Sequence, residues 1–214
     1  MNEYLETIKN IQSNYDSFLN SIINKVNKEF IPEVENNWAS PEAYSFFNGS
    51  FTNYINKIYS LFNVMISSVN ASINSIATEN AVLSHSESKL VGVEQIYFPA
   101  SPINTSNIKE SIDNVKKIDV DKASPMLGII KKIYDNGDSA ITGIKDAVSN
   151  ASFINDLNLE YINNQINFFR NKFAFTISNM LNETKAAMHE TISNTNKEPV
   201  NTIQSDNETA QRAA

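Results

Sequence analysis

The residues best equipped for chemistry are few and scattered. The chain has two histidines, His85 and His189, and no cysteine. His189-Glu190 opens like the zinc motif His-Glu-x-x-His, in which two imidazoles one helical turn apart share a metal and the glutamate activates water. Ser193 occupies the place of the second imidazole, so that metal set is incomplete. Both histidines read as solvated positions near helix ends. Asp119 and Asp121 stand at calcium-loop spacing, without the glycine or the closing glutamate of an EF-hand loop. Asp135 and Asp138 flank Gly137, and a polar turn accounts for them better than a bound cation. Glu3 and Glu6 read as a solvated helix face. There is no glycine pattern for cradling phosphate, and no Ser-His-Asp set stands out among many serines. Without cysteine there is no disulfide, thiolate metal site or thiol nucleophile. The expectation is a protein with no enzyme activity, no cofactor and no metal.

The elements that would carry any site are helical. The chain has 214 residues, 41% of them apolar, with 5 glycines and 6 prolines, which suits long helices better than a turn-rich β fold. Its net charge is −7, and no basic cluster interleaves with aromatics. Nucleic acid and anionic membrane are therefore not expected partners. The opening MNEYLETIKN has neither a basic region nor an apolar core like those of a cleavable signal, and no run of eighteen apolar residues predicts a stable membrane span.

Periodicity divides the chain. Leu5, Ile8, Ile11, Tyr15, Phe18, Ile22 and Val26 fall three and four apart, predicting one helix from Asn2 to about Phe30. Pro32 and the polar PEVENN end that pattern. A second helix begins at Ser40, an N-cap, with Pro41 at its first position and Glu42 complementing the dipole. Phe47, Phe51, Tyr54, Ile58, Leu61, Met65, Val69, Ile73 and Ile76 continue it, mostly at a heptad step. Residues 1–90 therefore read as a helical hairpin and 91–105, with Pro99 and Pro102, as a linker. Within the linker region VGVEQIYF has the pattern of a short strand.

Residues 106–197 read as a second, looser hairpin, and 198–214 as a disordered tail. Ile108, Ile112 and Val115 begin its face, and Pro125 interrupts it or opens a new helix. The segment YDNGDSA, Tyr134 to Ala140, is expected to be its turn, with Asn-Gly at the centre. A long periodic stretch from Ile141 to Ile192 follows, including Leu157, Tyr161 and Phe168, with a kink over Asn150 to Asn158. YINKIYSLFNVMIS at Tyr54 matches YINNQINFFRNKFA at Tyr161 loosely. Two architectures fit: tandem hairpins, or one irregular bundle with a kinked fourth helix. Both are all-α, with long antiparallel helical hairpins forming an elongated four-helix-type bundle.

Phe47, Phe51, Tyr54, Phe168, Phe173 and Phe175 lie at helical spacing and read as core or partner-interface aromatics rather than a cofactor box. Phe175 departs from the line of Phe173 and Ile177, which makes it the better candidate for an exposed or inter-subunit contact.

The only tryptophan, Trp38, stands in the stretch NNWASPEAYSFF between the first two helices. A small residue after it, Ala39, lets two helix ends approach. The indole then covers the apolar end of the hairpin, a burial of roughly 2–3 kcal/mol. Trp38-Ala39-Ser40, Glu42-Ala43-Tyr44 and the aromatic heptad resemble the WXG100, or ESAT-6-like, proteins over Met1 to Ser88. These are small helical substrates of bacterial type VII secretion, and their turn is Trp-x-Gly. Ser40 stands in the place of that glycine, and the chain is about twice the usual length. The resemblance extends to longer relatives, such as the targeting domains of LXG-type effectors and their accessory partners. It implies a chain that is cytoplasmic before export and secreted without a cleavable signal peptide. Its implied partners are another helical type VII protein or itself as a dimer, and the secretion machinery. The family's Tyr-x-x-x-Asp/Glu export signal fits Tyr134 and Asp138. The function expected is that of a type VII substrate or effector partner acting through helix–helix association. The alternatives are a membrane-active helical toxin, for which VGVEQIYF is the apolar segment, and a structural or phage coiled-coil scaffold.

Overall fold

A computed structural model describes residues 2–80 and 124–196. His85, Asp119, Asp121, the 91–105 linker, the face begun by Ile108, Ile112 and Val115, and the 198–214 tail lie outside those residues. All regular elements among the described residues are helical. The described residues form four helical columns that share one buried core.

The first column joins α1 (Asn2–Lys25), a π turn (Val26–Phe30) and α2 (Ile31–Asn37). The expected stop at Pro32 does not occur. A proline ring inside an α-helix collides with the carbonyl four residues back and supplies no N–H. Here the Ile31 N–H donates to Val26 O, five residues back, widening the coil just before Pro32. Pro32 then occupies the first turn of α2, where its missing donor costs little. PEVENN is helical as a result, and the column reaches Trp38. Buried Tyr4 opens the core face, while Leu5 is 39% exposed, so the stripe begins one residue earlier than its spacing suggests.

The second column joins α3 (Pro41–Phe46), a π turn (Phe47–Phe51) and α4 (Thr52–Glu79). The two π turns face one another. Phe30 stacks on Phe51 at 4.2 Å between ring centroids, and Phe47 stacks on Phe51 at 5.2 Å. The columns run antiparallel in a register marked by two polar pairs. Tyr4 donates to Asn74 and Tyr15 to Asn63, eleven residues further along α1 and eleven further back along α4.

The third and fourth columns are α5 (Ser124–Ser149) and α6 (Asp156–Thr195). The expected turn at Tyr134–Ala140 is helix, because packing overrides the local turn preference of Asn-Gly. A Cβ on Gly137 would collide with the Phe173 ring and come within 2.9 Å of Phe18 Cζ. Glycine is needed there for close approach of three helices, not for a reversal. The reversal falls at Asn150–Asn155, where a kink was expected. Asn155 caps α6, its side chain accepting from the Asn158 N–H at 2.9 Å.

α1 packs mainly on α5, α4 on α6, and α5 on α6. Lys132 pairs with Glu29 and Ser152 with Glu3, so α5 descends as α1 rises. Tyr54 reaches Glu183 and Ser68 reaches Gln165, so α4 and α6 are also antiparallel. The start of α1, the end of α4 and the 150–155 turn share one end of the bundle. The Trp38 turn, the start of α5 and the end of α6 share the other.

Candidate functional site

The Trp38 turn is the most elaborated junction among the described residues. Trp38 closes α2, its N–H donating to Val34 O at 2.8 Å, and leaves the helix at φ −138°, ψ 13°. Ser40 is extended, and its Oγ accepts from the Ala43 N–H at 3.0 Å. Pro41 follows at the first helical position, where it lacks only a donor that would have had no partner. Ala39 is buried, small enough to let α2 and α3 meet.

The indole is 1% exposed and does more than cover the first hairpin. Its Nε1–H donates to Thr191 Oγ1 at 3.0 Å, on the last turns of α6. Thr191 in turn donates to Ala187 O at 3.0 Å, so one hydroxyl satisfies both groups. The Phe46 ring stands 5.6 Å from the indole. Asn194 Nδ2 donates to Glu42 at 3.3 Å on the rim. Trp38 therefore joins the turn of the first half to the end of the second.

Thr191 is missing from the sequence reading. It belongs to a line of buried threonines on α6, Thr176, Thr184, Thr191 and Thr195, each donating to the carbonyl four residues back. Such self-satisfied hydroxyls behave as small core side chains. The signal was their helical spacing with Phe173, Ile177, Met180 and Met188.

The remaining predicted residues separate into two groups. Phe47, Phe51 and Phe173 are no more than 1% exposed and belong to this chain's own core, so they offer no outward surface. Tyr54 is half-buried and donates to Glu183; burial, then that carboxylate, pushes its hydroxyl up to about 12. Phe168 and Phe175 are outward, at 57% and 62% exposed. Tyr134 and Asp138 lie one turn apart on α5. The Tyr134 ring stacks on Phe173 at 5.6 Å, and Asp138 accepts from Arg170 Nε at 2.7 Å. These two side chains hold α5 against α6.

Two further polar groups bear on the site, one inside the core and one at the surface. The buried Tyr59 hydroxyl has no hydrogen-bond partner among the described residues, and burial pushes it up to about 12. Glu3 is not merely solvated: its carboxylate accepts from the Ser152 N–H at 2.6 Å and hydroxyl at 2.8 Å, which lowers its pKa. A groove between α1 and α5 is lined by Asn14, Ser17, Phe18, Ser21, Asn136, Ser139 and Ala140, none of which titrates near neutral pH. Among the described residues no three His, Cys, Asp or Glu side chains gather closely enough to hold a metal ion, and no helix is long and apolar enough to cross a membrane.

No family model matches the chain, and no curated protein or solved structure matches it either.

Proposed function

We propose that this chain is a non-enzymatic type VII secretion substrate or effector partner that works through helix–helix association. The observation that carries the reading is the Trp38 turn. A single tryptophan, a small residue and a capping residue reverse two long helices, and the indole is buried against a further helix. In this reading the secretion machinery meets the folded helical surface, and the indole keeps that surface in shape. Helical partners dock on outward apolar positions rather than on Phe47, Phe51 or Phe173, which the core already uses.

The test is export. The tagged chain is expressed in its host, and culture medium is compared with and without the membrane ATPase of the type VII system. The proposal expects the chain in the medium only when the ATPase is present. Retention in both strains, or release in both, overturns it.

A further inference from the structure

We propose that two copies of this chain pair through the outward face of α6, along Leu157, Tyr161, Phe168 and Phe175. This rests on the helix-association reading and deepens it by assigning the surface at which a second copy docks, outside the four-column core. The four residues are 77%, 59%, 57% and 62% exposed. They step by four, seven and seven residues, so they fall on one line of the helix. That line lies on the side of α6 opposite Ile162, Ile166, Phe173 and Met180, which fill the core. The intervening seam positions are Asn164 and Asn171, and none of the six carries a charge. Lys172 lies at the flank, its Nζ 5.4 Å from the Phe168 ring centroid. Among the described residues the other exposed large apolar side chains, Leu5, Tyr44 and Val64, are single and on three different helices.

A second copy suits this face for two reasons. An exact heptad of aromatics interleaves with an identical heptad, as a coiled-coil seam does, and a two-fold interface needs one patch that matches itself. Asparagines within such a seam favour one register over slipped alternatives. The area also suffices. A buried aromatic contributes about 150–250 Å², so four side chains at these exposures present roughly 500 Å² per copy. Two facing copies bury roughly 1,000 Å² before flanking residues are added, which reaches the small end of specific interfaces.

The test is the mass of the purified full-length chain by sedimentation equilibrium, from micromolar to several hundred micromolar. The expected result is a rise from 24.0 kDa toward twice that mass. The double substitution Phe168→Glu, Phe175→Glu should hold the mass at one copy, with helicity kept because both side chains face outward, and with a melting temperature that no longer rises with protein concentration as the wild type's does. A wild-type chain that stays single throughout overturns the proposal, including the case in which oxidative footprinting finds the stripe covered by another part of the chain. So does a double variant that still pairs. The experiment needs no secretion system, so its failure leaves the export result standing, and the converse holds.

Discussion

Trp38 and Thr191 are hydrogen-bonded at 3.0 Å across 153 positions of sequence, both of them buried. The bond ties the reversal of the first two columns to the end of the last. Replacing Thr191 with valine keeps the shape and removes the acceptor, leaving a buried indole N–H unpaired. The expected loss is about 1–3 kcal/mol, read from urea midpoints. Trp38→Ala, which also opens a cavity, should cost about 3–5 kcal/mol.

Ser40 makes a separate prediction. Its Oγ caps α3, so Ser40→Ala should lose about 1 kcal/mol, whereas Ser40→Gly should lose only a few tenths. The glycine of the WXG100 turn is therefore tolerated here at little cost. A Ser40→Ala variant as stable as the wild type would show that the cap contributes nothing.

Two of the three glycines of α5 should respond with opposite signs. Gly128 has no atom within 4 Å of an added Cβ, so Gly128→Ala should stabilise by up to about 1 kcal/mol through helix propensity. Gly137→Ala drives a methyl into Phe173 and Phe18 and should destabilise by about 1–3 kcal/mol. Thermal melts of the two variants decide the matter. A stabilised Gly137→Ala would show that Phe173 and Phe18 do not press on this position.

Alkaline pH should unfold the chain in a definite window. Tyr59 titrates at about 12 when folded and near 10 when unfolded, because burial disfavours the phenolate. Between those values the unfolded chain holds fewer protons, so stability is intact below about pH 10 and falls as pH rises toward 12. Tyr54 has the same sign and window. Tyr59→Phe should flatten the decline, measured as urea midpoints against pH. A decline unchanged in that variant would remove Tyr59 from the account.

Tests of the Tyr134–Asp138 export motif need a folding control. Tyr134→Ala removes a ring stacked on Phe173 and should cost about 1–3 kcal/mol. Asp138→Asn alters an ion pair that is partly exposed, worth about 0–1 kcal/mol. If both lose export equally while only the first loses stability, the letters act as a signal. If export follows stability, they act through packing.

The sequence reading succeeded where one residue type had one physical job. Ser40 and Pro41 marked a helix start, and Tyr15, Phe18, Ile22 and Val26 marked a buried face. It failed where tertiary contacts overrode local preference. Pro32 passes through a helix because a π turn precedes it, and Gly137 is spent on the approach of Phe173. The clasp was half legible. Trp38 announced a buried turn, and the spacing of Thr191 from Met188 places it on the buried face, but nothing local pairs it with an indole 153 residues away. The outward line on α6 was hidden in the opposite way, since Tyr161 and Phe168 share a helical period with the core.

Trp38 is an internal clasp, buried and hydrogen-bonded to Thr191. As the only tryptophan, it reports on itself. Acrylamide quenching of the native full-length chain tests the claim directly. The account predicts blue-shifted emission, quenching far below that of free indole, and loss of both features in the same transition that melts the helices. Red-shifted, freely quenched emission from the native protein would contradict it and make the indole an exposed recognition surface.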